Sequence, residues 1–163
     1  MLKCIKITKS YLEKLVDNLR KEDLEELKYY FKDDFRKKFI NLCLKNKKHT
    51  YLLVDDFNCP IAIGGVVDIE QKPYKIGQVW MITSIYFYNY KKSCLSFVIN
   101  KILECKQKYD FLYNYVYFTN FYSDNWLKKV GFKFVELKNK NFKLLYFINK
   151  KGEKIDIRRF TCE

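Results

Sequence analysis

The most informative segment of the sequence is Asn-Phe-Tyr-Ser-Asp-Asn-Trp-Leu-Lys-Lys-Val-Gly-Phe, residues 120–132. Asn120 is a turn residue, and the side chains from 123 to 130 have the mixture of a short helix. Gly131 can take the left-handed conformation that commonly ends a helix, and Phe132 then starts a new apolar run. The stretch therefore predicts a turn, a short helix and a strand in close succession.

Strands are predicted on both sides of this short helix. An aromatic run at 113–118 precedes it, and two runs at 132–135 and 142–147 form a hairpin around a polar turn. The tail at 155–160 is amphipathic, so we expect it to pack back on the sheet. These segments give the C-terminal half of the chain a sheet with one helix inserted.

The rest of the chain predicts further helices and strands. Helices are expected at 11–18 with Ser10 as N-cap, at 24–45 and at about 91–106. Strands are expected at 2–7, 50–54, 60–67 and 79–86. We therefore predict an α+β fold, with a mostly antiparallel sheet flanked by helices, in a single domain spanning residues 1–163.

The chain is strongly basic, with 32 Lys and Arg against 19 Asp and Glu and a net charge of +13. Arginine occurs only at positions 20, 36, 158 and 159, and lysines occur in every segment. Proteins that read nucleic acid usually gather charge on one face and rely on arginine, so we do not expect nucleic acid as the main ligand. A positive field would still attract a polyanionic small molecule such as a nucleotide cofactor.

Simple features exclude several classes of site. His49 is the only histidine, and no two cysteines are spaced as Cys-x-x-Cys, so we expect no metal site and no nucleophile that depends on histidine. No run approaches the roughly 18 apolar residues of a membrane span. The first residues return to lysine before a signal-like hydrophobic region forms. We therefore expect a cytoplasmic protein.

The order of the elements, together with residues 120–132, resembles the GNAT superfamily, the acetyl-coenzyme A-dependent N-acyltransferases. Members of this family carry an Asn after the fifth strand, then a short helix and then Gly-Phe, at the spacing of Asn120 and Gly131-Phe132. Asn120 could turn the chain and hydrogen-bond the pantetheine arm of the cofactor. The resemblance therefore implies acetyl-coenzyme A as co-substrate.

The resemblance also implies where this cofactor lies. The fourth strand, at about 82–87, is expected to part from the fifth, at 113–118, with pantetheine in the V-shaped gap. The arm would hydrogen-bond the backbone of the fourth strand, and we therefore name Ile85, Tyr86 and Phe87 as cofactor-binding residues beside Asn120. A splayed central sheet is part of the predicted fold.

Within the superfamily, the likeness is to a phage-associated branch that includes internal virion proteins of podophages. The segments that carry it are 18–20 with Asp23 and Glu26, 60–66, Trp80, 126–132 and 158–160. This likeness implies a protein of the host cytoplasm, or of the virion if it is phage-encoded.

The chain departs from the family between the fourth strand and the next helix. GNAT enzymes usually have a glycine-rich loop there, whose N–H groups hold the cofactor's pyrophosphate. Residues 87–93 contain no glycine. Lys91, Lys92 and the Ser93 hydroxyl could supply a rearranged anion site at the helix start. The other interpretation is a solvated helix start with ordinary lysines.

The catalytic residues are also open to two interpretations. Many GNAT enzymes use a Tyr seven residues after the Asn as general acid, and this chain has Leu127 there. Tyr122 is the candidate substitute, with packing or surface exposure as the alternative. The candidate bases are Glu26, in the second helix, and Asp68, just beyond the third strand, because the attacking amine must be neutral. Each carboxylate could equally be an ordinary surface residue.

We therefore predict acetyl transfer from acetyl-coenzyme A to a primary amine, through direct attack and a tetrahedral intermediate. The alternative is a catalytically degenerate phage protein that keeps the GNAT fold for a virion-associated or host-interaction role. A third interpretation, a basic nucleic-acid-binding module, rests only on charge and on aromatic side chains that could stack bases. The sequence identifies neither the amine acceptor nor the oligomeric state.

Overall fold

Residues 1–161, the part of the chain that this computed structural model describes, contain seven strands and five α-helices, besides short 3-10 helices and loops. The strands are β1 (Lys3–Ile5), β2 (Thr50–Val54), β3 (Pro60–Glu70), β4 (Ile76–Thr83), β5 (Phe111–Tyr117), β6 (Lys133–Glu136) and β7 (Phe142–Ile148). The helices are α1 (Lys9–Asp17), α2 (Lys21–Phe31), α3 (Phe35–Lys45), α4 (Phe87–Lys108) and α5 (Phe121–Lys129). None of the helices in residues 1–161 has the length and apolar content needed to cross a lipid bilayer.

The strands form one sheet in the order β1-β2-β3-β4-β5-β7-β6. The pairs β1–β2, β2–β3, β5–β7 and β6–β7 are antiparallel. β4 and β5 are parallel, and their ladder joins Ile76–Gln78 to Phe111–Tyr113. The predicted α+β fold with a mostly antiparallel sheet is confirmed. The parting of the two strands beyond this ladder stays a prediction.

The chain divides into two compact units, and β3, β4 and α4 each contribute residues to both. The first unit comprises Met1–Gly65 and Trp80–Phe97, and the second comprises Val66–Val79 and the chain from Val98 onwards. The single domain over residues 1–163 therefore stays a prediction.

The first unit has an apolar core between its helices and strands. Its fully buried side chains come from α1, α3 and the strands, and they include Leu12, Leu15, Cys43, Leu52, Val54 and Ile63. Burying a side chain of the size of leucine contributes about 1.5–3 kcal/mol, so this cluster stabilises the arrangement of the three helices on the sheet.

Helix α1 begins earlier than its sequence pattern predicts. Thr8, and not Ser10, is the N-cap, because its side-chain oxygen accepts the N–H of Tyr11 and its backbone is extended. Ser10 is already helical. The helix then places Leu12 and Leu15 in the core, at the spacing that favours one buried face.

The predicted helix over 24–45 is two helices. Lys32 and Asp34, between α2 and α3, have φ angles of 52° and 62°. A left-handed backbone interrupts the helical hydrogen bonds, so the chain turns at this point. Leu27 on α2 and Phe39 on α3 are both buried in the core of the first unit. The predicted apolar face of residues 24–45 is therefore confirmed, and the prediction of one continuous helix is wrong.

β4 and α4 both lie earlier than predicted. The strand occupies Ile76–Thr83 where 79–86 was expected, and the helix starts at Phe87 where 91 was expected. Phe87 and Cys94 are buried and lie seven positions apart, which places both on one face of a helix. Since no glycine interrupts this segment, the helix continues back to Phe87.

Two interpretations are possible for the Gly64-Gly65 pair in β3: the glycines leave room for a ligand, or they permit close contact between main chains. A Cβ atom on Gly65 would lie 2.0 Å from the carbonyl oxygen of His49, and one on Gly64 would lie 2.6 Å from that of Trp80. Both distances are shorter than a Cβ atom tolerates, so close main-chain approach explains both glycines. His49 itself is exposed.

The second unit is built around β5 and β7. Its core is largely aromatic and includes Phe111, Tyr113, Tyr115, Phe142, Tyr146 and Phe160. The ring of Phe160 stacks on that of Phe111 with 4.7 Å between centroids, so the predicted packing of the tail is confirmed. The hairpin of β6 and β7 and the left-handed Gly131, with φ at 85°, are also confirmed.

Candidate active site

The end of β4 is bonded to the chain on both of its sides, within the first unit. On one side the Ser84 N–H donates to the carbonyl of Ile61 in β3 at 2.9 Å. On the other side the α1–α2 linker, residues 18–20, forms an antiparallel bridge to Ser84. The last N–H of the linker donates to the Thr83 carbonyl at 3.1 Å, and its first carbonyl accepts the Ile85 N–H at 2.8 Å. The linker therefore occupies this edge of β4.

A buried ion pair fastens the linker. The carboxylate of Asp23, in the first turn of α2, has no exposed surface, and Arg20 is 2% exposed. Oδ2 of Asp23 accepts hydrogen bonds from Arg20 Nε at 2.8 Å, from Thr83 Oγ1 at 2.6 Å and from Thr83 N–H at 3.2 Å. Oδ1 of Asp23 is buried without a hydrogen-bond partner in residues 1–161. One carboxylate oxygen thus joins α2, the linker and β4.

Burial dominates the electrostatics of this cluster. It raises the pKa of Asp23, and the Arg20 guanidinium and the Thr83 donors oppose that rise. Burial lowers the pKa of Arg20, but the carboxylate of Asp23 outweighs this effect and the pKa lies above its usual value. The guanidinium also lies 5.2 Å from the ring centroid of Phe87, a cation–π contact with the first residue of α4.

A second polar cluster surrounds the start of α5, within the second unit. Asn120 is the N-cap, and its side-chain oxygen accepts the N–H of Ser123 at 3.4 Å. Asp124 is buried, and its two oxygens pair with Lys143 Nζ at 2.7 Å and Lys128 Nζ at 3.0 Å. The short helix is therefore fixed by a cap at its start and by an ion pair to β7.

Two cysteine side chains of the first unit are buried. Burial raises the pKa of Cys43 and of Cys94 to about 12, so both thiols stay protonated and are poor nucleophiles. In residues 1–161, no cluster of three His, Cys, Asp or Glu side chains could bind a metal ion.

The chain is similar to known proteins in structure but not detectably in sequence. The sequence matches no protein-family model and no curated protein. The PaiA N-acetyltransferase from Thermoplasma acidophilum, in complex with coenzyme A, has a TM-score of 0.63 and 12% identity over 91% of this chain and 99% of its own. A GNAT-family acetyltransferase from Bacillus anthracis has a TM-score of 0.60 and 13% identity, over 93% and 96%.

The GNAT domain of PAT from S. lividans has a TM-score of 0.66 and 13% identity, over 91% of this chain and 89% of its own. This chain has the GNAT fold. At these low identities the structural similarity shows the fold alone, and the activity has to be argued from the residues. The GNAT resemblance implies that the cofactor lies beside the end of β4 and the start of α4.

Apart from Asn120, the predicted cofactor residues lie at other places in the fold than predicted, and all the predicted binding roles stay predictions. Ile85 and Tyr86 form a turn after β4, and Phe87 is the buried first residue of α4, so the prediction that they belong to the strand is wrong. The reason is the early start of α4. Lys91, Lys92 and Ser93 lie in its second turn and are exposed, which removes them from the helix terminus that was predicted for them.

This arrangement does not fit coenzyme A as GNAT proteins are expected to bind it. The Ile85 N–H is bonded to the linker, and the Phe87 and Asn89 N–H groups donate to the carbonyls of Ser84 and Tyr86 at 3.0 and 3.1 Å. A pyrophosphate needs free N–H groups, and a pantetheine arm needs free edge groups on the strand. At this place the chain itself therefore already uses the N–H groups of Ile85, Phe87 and Asn89.

The three predicted catalytic residues lie in different elements. Glu26 is half-buried on α2, in the first unit. Asp68 lies within β3 in the second unit, and not beyond the strand as predicted, because β3 continues to Glu70. Asp68 accepts a hydrogen bond from the Tyr109 hydroxyl at 2.5 Å. Tyr122 is 37% exposed in the first turn of α5. Their catalytic roles stay predictions.

The cluster of Arg20, Asp23 and Thr83 is not predicted from the sequence, where Arg20 and Asp23 belong only to a family pattern. Two signals pointed further: their spacing of three residues at a helix start, and a threonine among the apolar residues of β4. The pairing across about sixty positions is a tertiary contact, which no local pattern encodes.

Proposed function

We propose that this protein is an acyl-CoA-dependent N-acyltransferase, transferring an acetyl group from acetyl-coenzyme A to a primary amine. The observation that carries the proposal is the fold, which is shared over nine-tenths of the chain with an N-acetyltransferase in complex with coenzyme A. The sequence pattern from Asn120 to Phe132 supports it independently, because the turn, the short helix and the glycine all have the predicted form.

The charge of the chain also supports a polyanionic co-substrate. The net charge is +13, and Lys91 and Lys92 project as adjacent exposed cations from the second turn of α4. A coenzyme with three phosphate groups would be attracted to such a field even without a backbone cradle. In the proposal, these two lysines supply positive charge for the phosphate groups, without the main-chain N–H groups that a glycine-rich loop would provide.

Tyr122 and the carboxylates remain candidates for proton transfer in this proposal. Tyr122 is accessible on α5, and a general acid must reach the leaving group. Asp68 is exposed on β3, and Glu26 is half-buried on α2. An enzyme can also work without a dedicated base where the amine is already partly neutral, so positioning alone could suffice.

A second candidate is a GNAT-fold protein without transferase activity, in a virion-associated or host-interaction role. One observation favours it: three main-chain N–H groups between β4 and the first turn of α4, those of Ile85, Phe87 and Asn89, already donate to the chain itself. The likeness to the phage-associated branch rests on sequence motifs alone.

Calorimetric titration with acetyl-coenzyme A, followed by a thiol-release assay with a panel of primary amines, tests the two candidates. Under the first we expect binding and thiol release. A Lys91→Ala/Lys92→Ala variant should bind about fivefold more weakly, because two exposed cations together contribute about 1 kcal/mol. Lys47→Ala/Lys48→Ala removes another adjacent exposed pair of the first unit and should bind as the wild type does. Absence of binding at millimolar coenzyme would support the second candidate.

A further inference from the structure

The α1–α2 linker lies against β4 as an added strand would. Its two main-chain hydrogen bonds, to the Thr83 carbonyl and from the Ile85 N–H, flank an antiparallel bridge to Ser84. These are the edge groups of β4 that point away from β3, since Ser84 N–H is directed to Ile61. A ligand that hydrogen-bonds this edge therefore competes with residues 18–20 for the same atoms.

The hydrogen bonds that hold the linker are unevenly distributed over the carboxylate of Asp23. Asp23 receives three donors on a single oxygen, Oδ2, while Oδ1 is buried without a partner in residues 1–161. A buried ion pair with an unsatisfied oxygen contributes little net stability, because desolvation of the charges offsets their attraction. The closed linker is therefore specific in geometry and only modestly favoured in free energy.

We propose that the α1–α2 linker is an intramolecular occupant of the β4 edge, held by Asp23 and Thr83, that must leave before an acyl-CoA binds there. This inference rests on the proposed function. The inference explains why the end of β4 does not fit coenzyme A in this structure. The closed linker is the conformation without coenzyme, and coenzyme binding selects the conformation in which the main-chain groups of Thr83 and Ile85 are released from the linker. The observed affinity is then the intrinsic affinity reduced by the fraction of open linker.

The substitution Thr83→Val tests this proposal. It removes the Oγ1 donor at 2.6 Å from Asp23 and keeps the shape of the side chain. Loss of a hydrogen bond to a carboxylate raises the open fraction by about tenfold, so acetyl-coenzyme A should bind the variant about tenfold more tightly than the wild type. Thr50→Val is the matched control, because this buried strand threonine donates only to the carbonyl of Asn46. Its affinity should equal that of the wild type.

Amide hydrogen exchange followed by NMR distinguishes a displaceable linker from a purely structural one. If the linker is purely structural, coenzyme binding should not change the exchange rate of its amides. The Arg20 amide is bonded to Thr83 in the closed state, and coenzyme binding should accelerate its exchange. Equal affinities of wild type and Thr83→Val, with an unchanged Arg20 amide, would overturn the role of the linker and leave the transferase proposal standing. Absence of coenzyme binding by both folded proteins would overturn the two together.

Discussion

The surroundings of Asp124 keep its carboxyl group in the charged form. Its side chain is 9% exposed and pairs with Lys143 and Lys128. Burial alone would raise the pKa of this carboxyl, but the hydrogen bonds from the two lysines outweigh burial and hold the pKa below its usual value of 3.8. The carboxylate is therefore ionised in the folded protein at every pH above about 4.

Replacing this carboxylate should destabilise the protein in a pH-dependent way. Asp124→Asn keeps the shape of the side chain and removes the charge, so we expect a loss of about 1.5–3 kcal/mol in the free energy of unfolding at pH 7. A depressed pKa means that the stabilisation is fully present above the unfolded value near 3.8 and disappears as the pH falls below it. Urea unfolding at pH 7, 5 and 3 measures this. A difference from wild type that persists unchanged at pH 3 would contradict the assignment.

Local sequence pattern determines the bounds of some helices and strands, and tertiary contacts determine those of others. β2 and the end of α3 at Lys45 are where the sequence placed them, because their apolar spacing and flanking turn residues agree. The start of α4 was misplaced because a helix without glycine and an extended strand both suit aromatic residues such as those at 86–90. The burial of Phe87 beside Arg20 decides between them, and that contact is not local.

Gly131 determines where α5 ends. Its φ of 85° is costly for a residue with a Cβ atom, by about 1–2 kcal/mol. Gly131→Ala should therefore lower the free energy of unfolding by that amount, measured by urea unfolding followed by circular dichroism. Gly131→Asn is the matched variant and should lose less, because Asn tolerates the left-handed region. Equal losses in the two variants would show that crowding, for example against Lys106 at 3.3 Å, and not backbone conformation, is the cause.

The fold of the protein can be predicted from its sequence, but the closure of the β4 edge by the α1–α2 linker cannot. The order of elements and the pattern from Asn120 to Phe132 were sufficient for the GNAT fold. The sequence also revealed the missing glycines at 87–93. The carboxylate of Asp23 against Thr83 depends on a contact between α2 and β4, so the closed edge of β4 could be recognised only in three dimensions.

The single domain predicted for the chain has a direct test. Trp80 belongs to the first unit and Trp126 to the second, and the chain has no other tryptophan. Trp80→Phe and Trp126→Phe variants therefore report thermal unfolding of one unit each by fluorescence. For one cooperative domain we expect both fluorescence midpoints to coincide with the far-ultraviolet circular dichroism midpoint of the same variant. Two separated transitions would mean two domains.

The outermost strands of the sheet bear on how copies of this protein behave in concentrated solution. β1 and β6, the two shortest strands, are three and four residues long, and each begins with an exposed lysine. An incoming chain finds few main-chain partners there and meets positive charge first. With a surplus of thirteen positive charges on every copy, edge-to-edge growth into fibrils is disfavoured despite 28 phenylalanine and tyrosine residues, 14 of each.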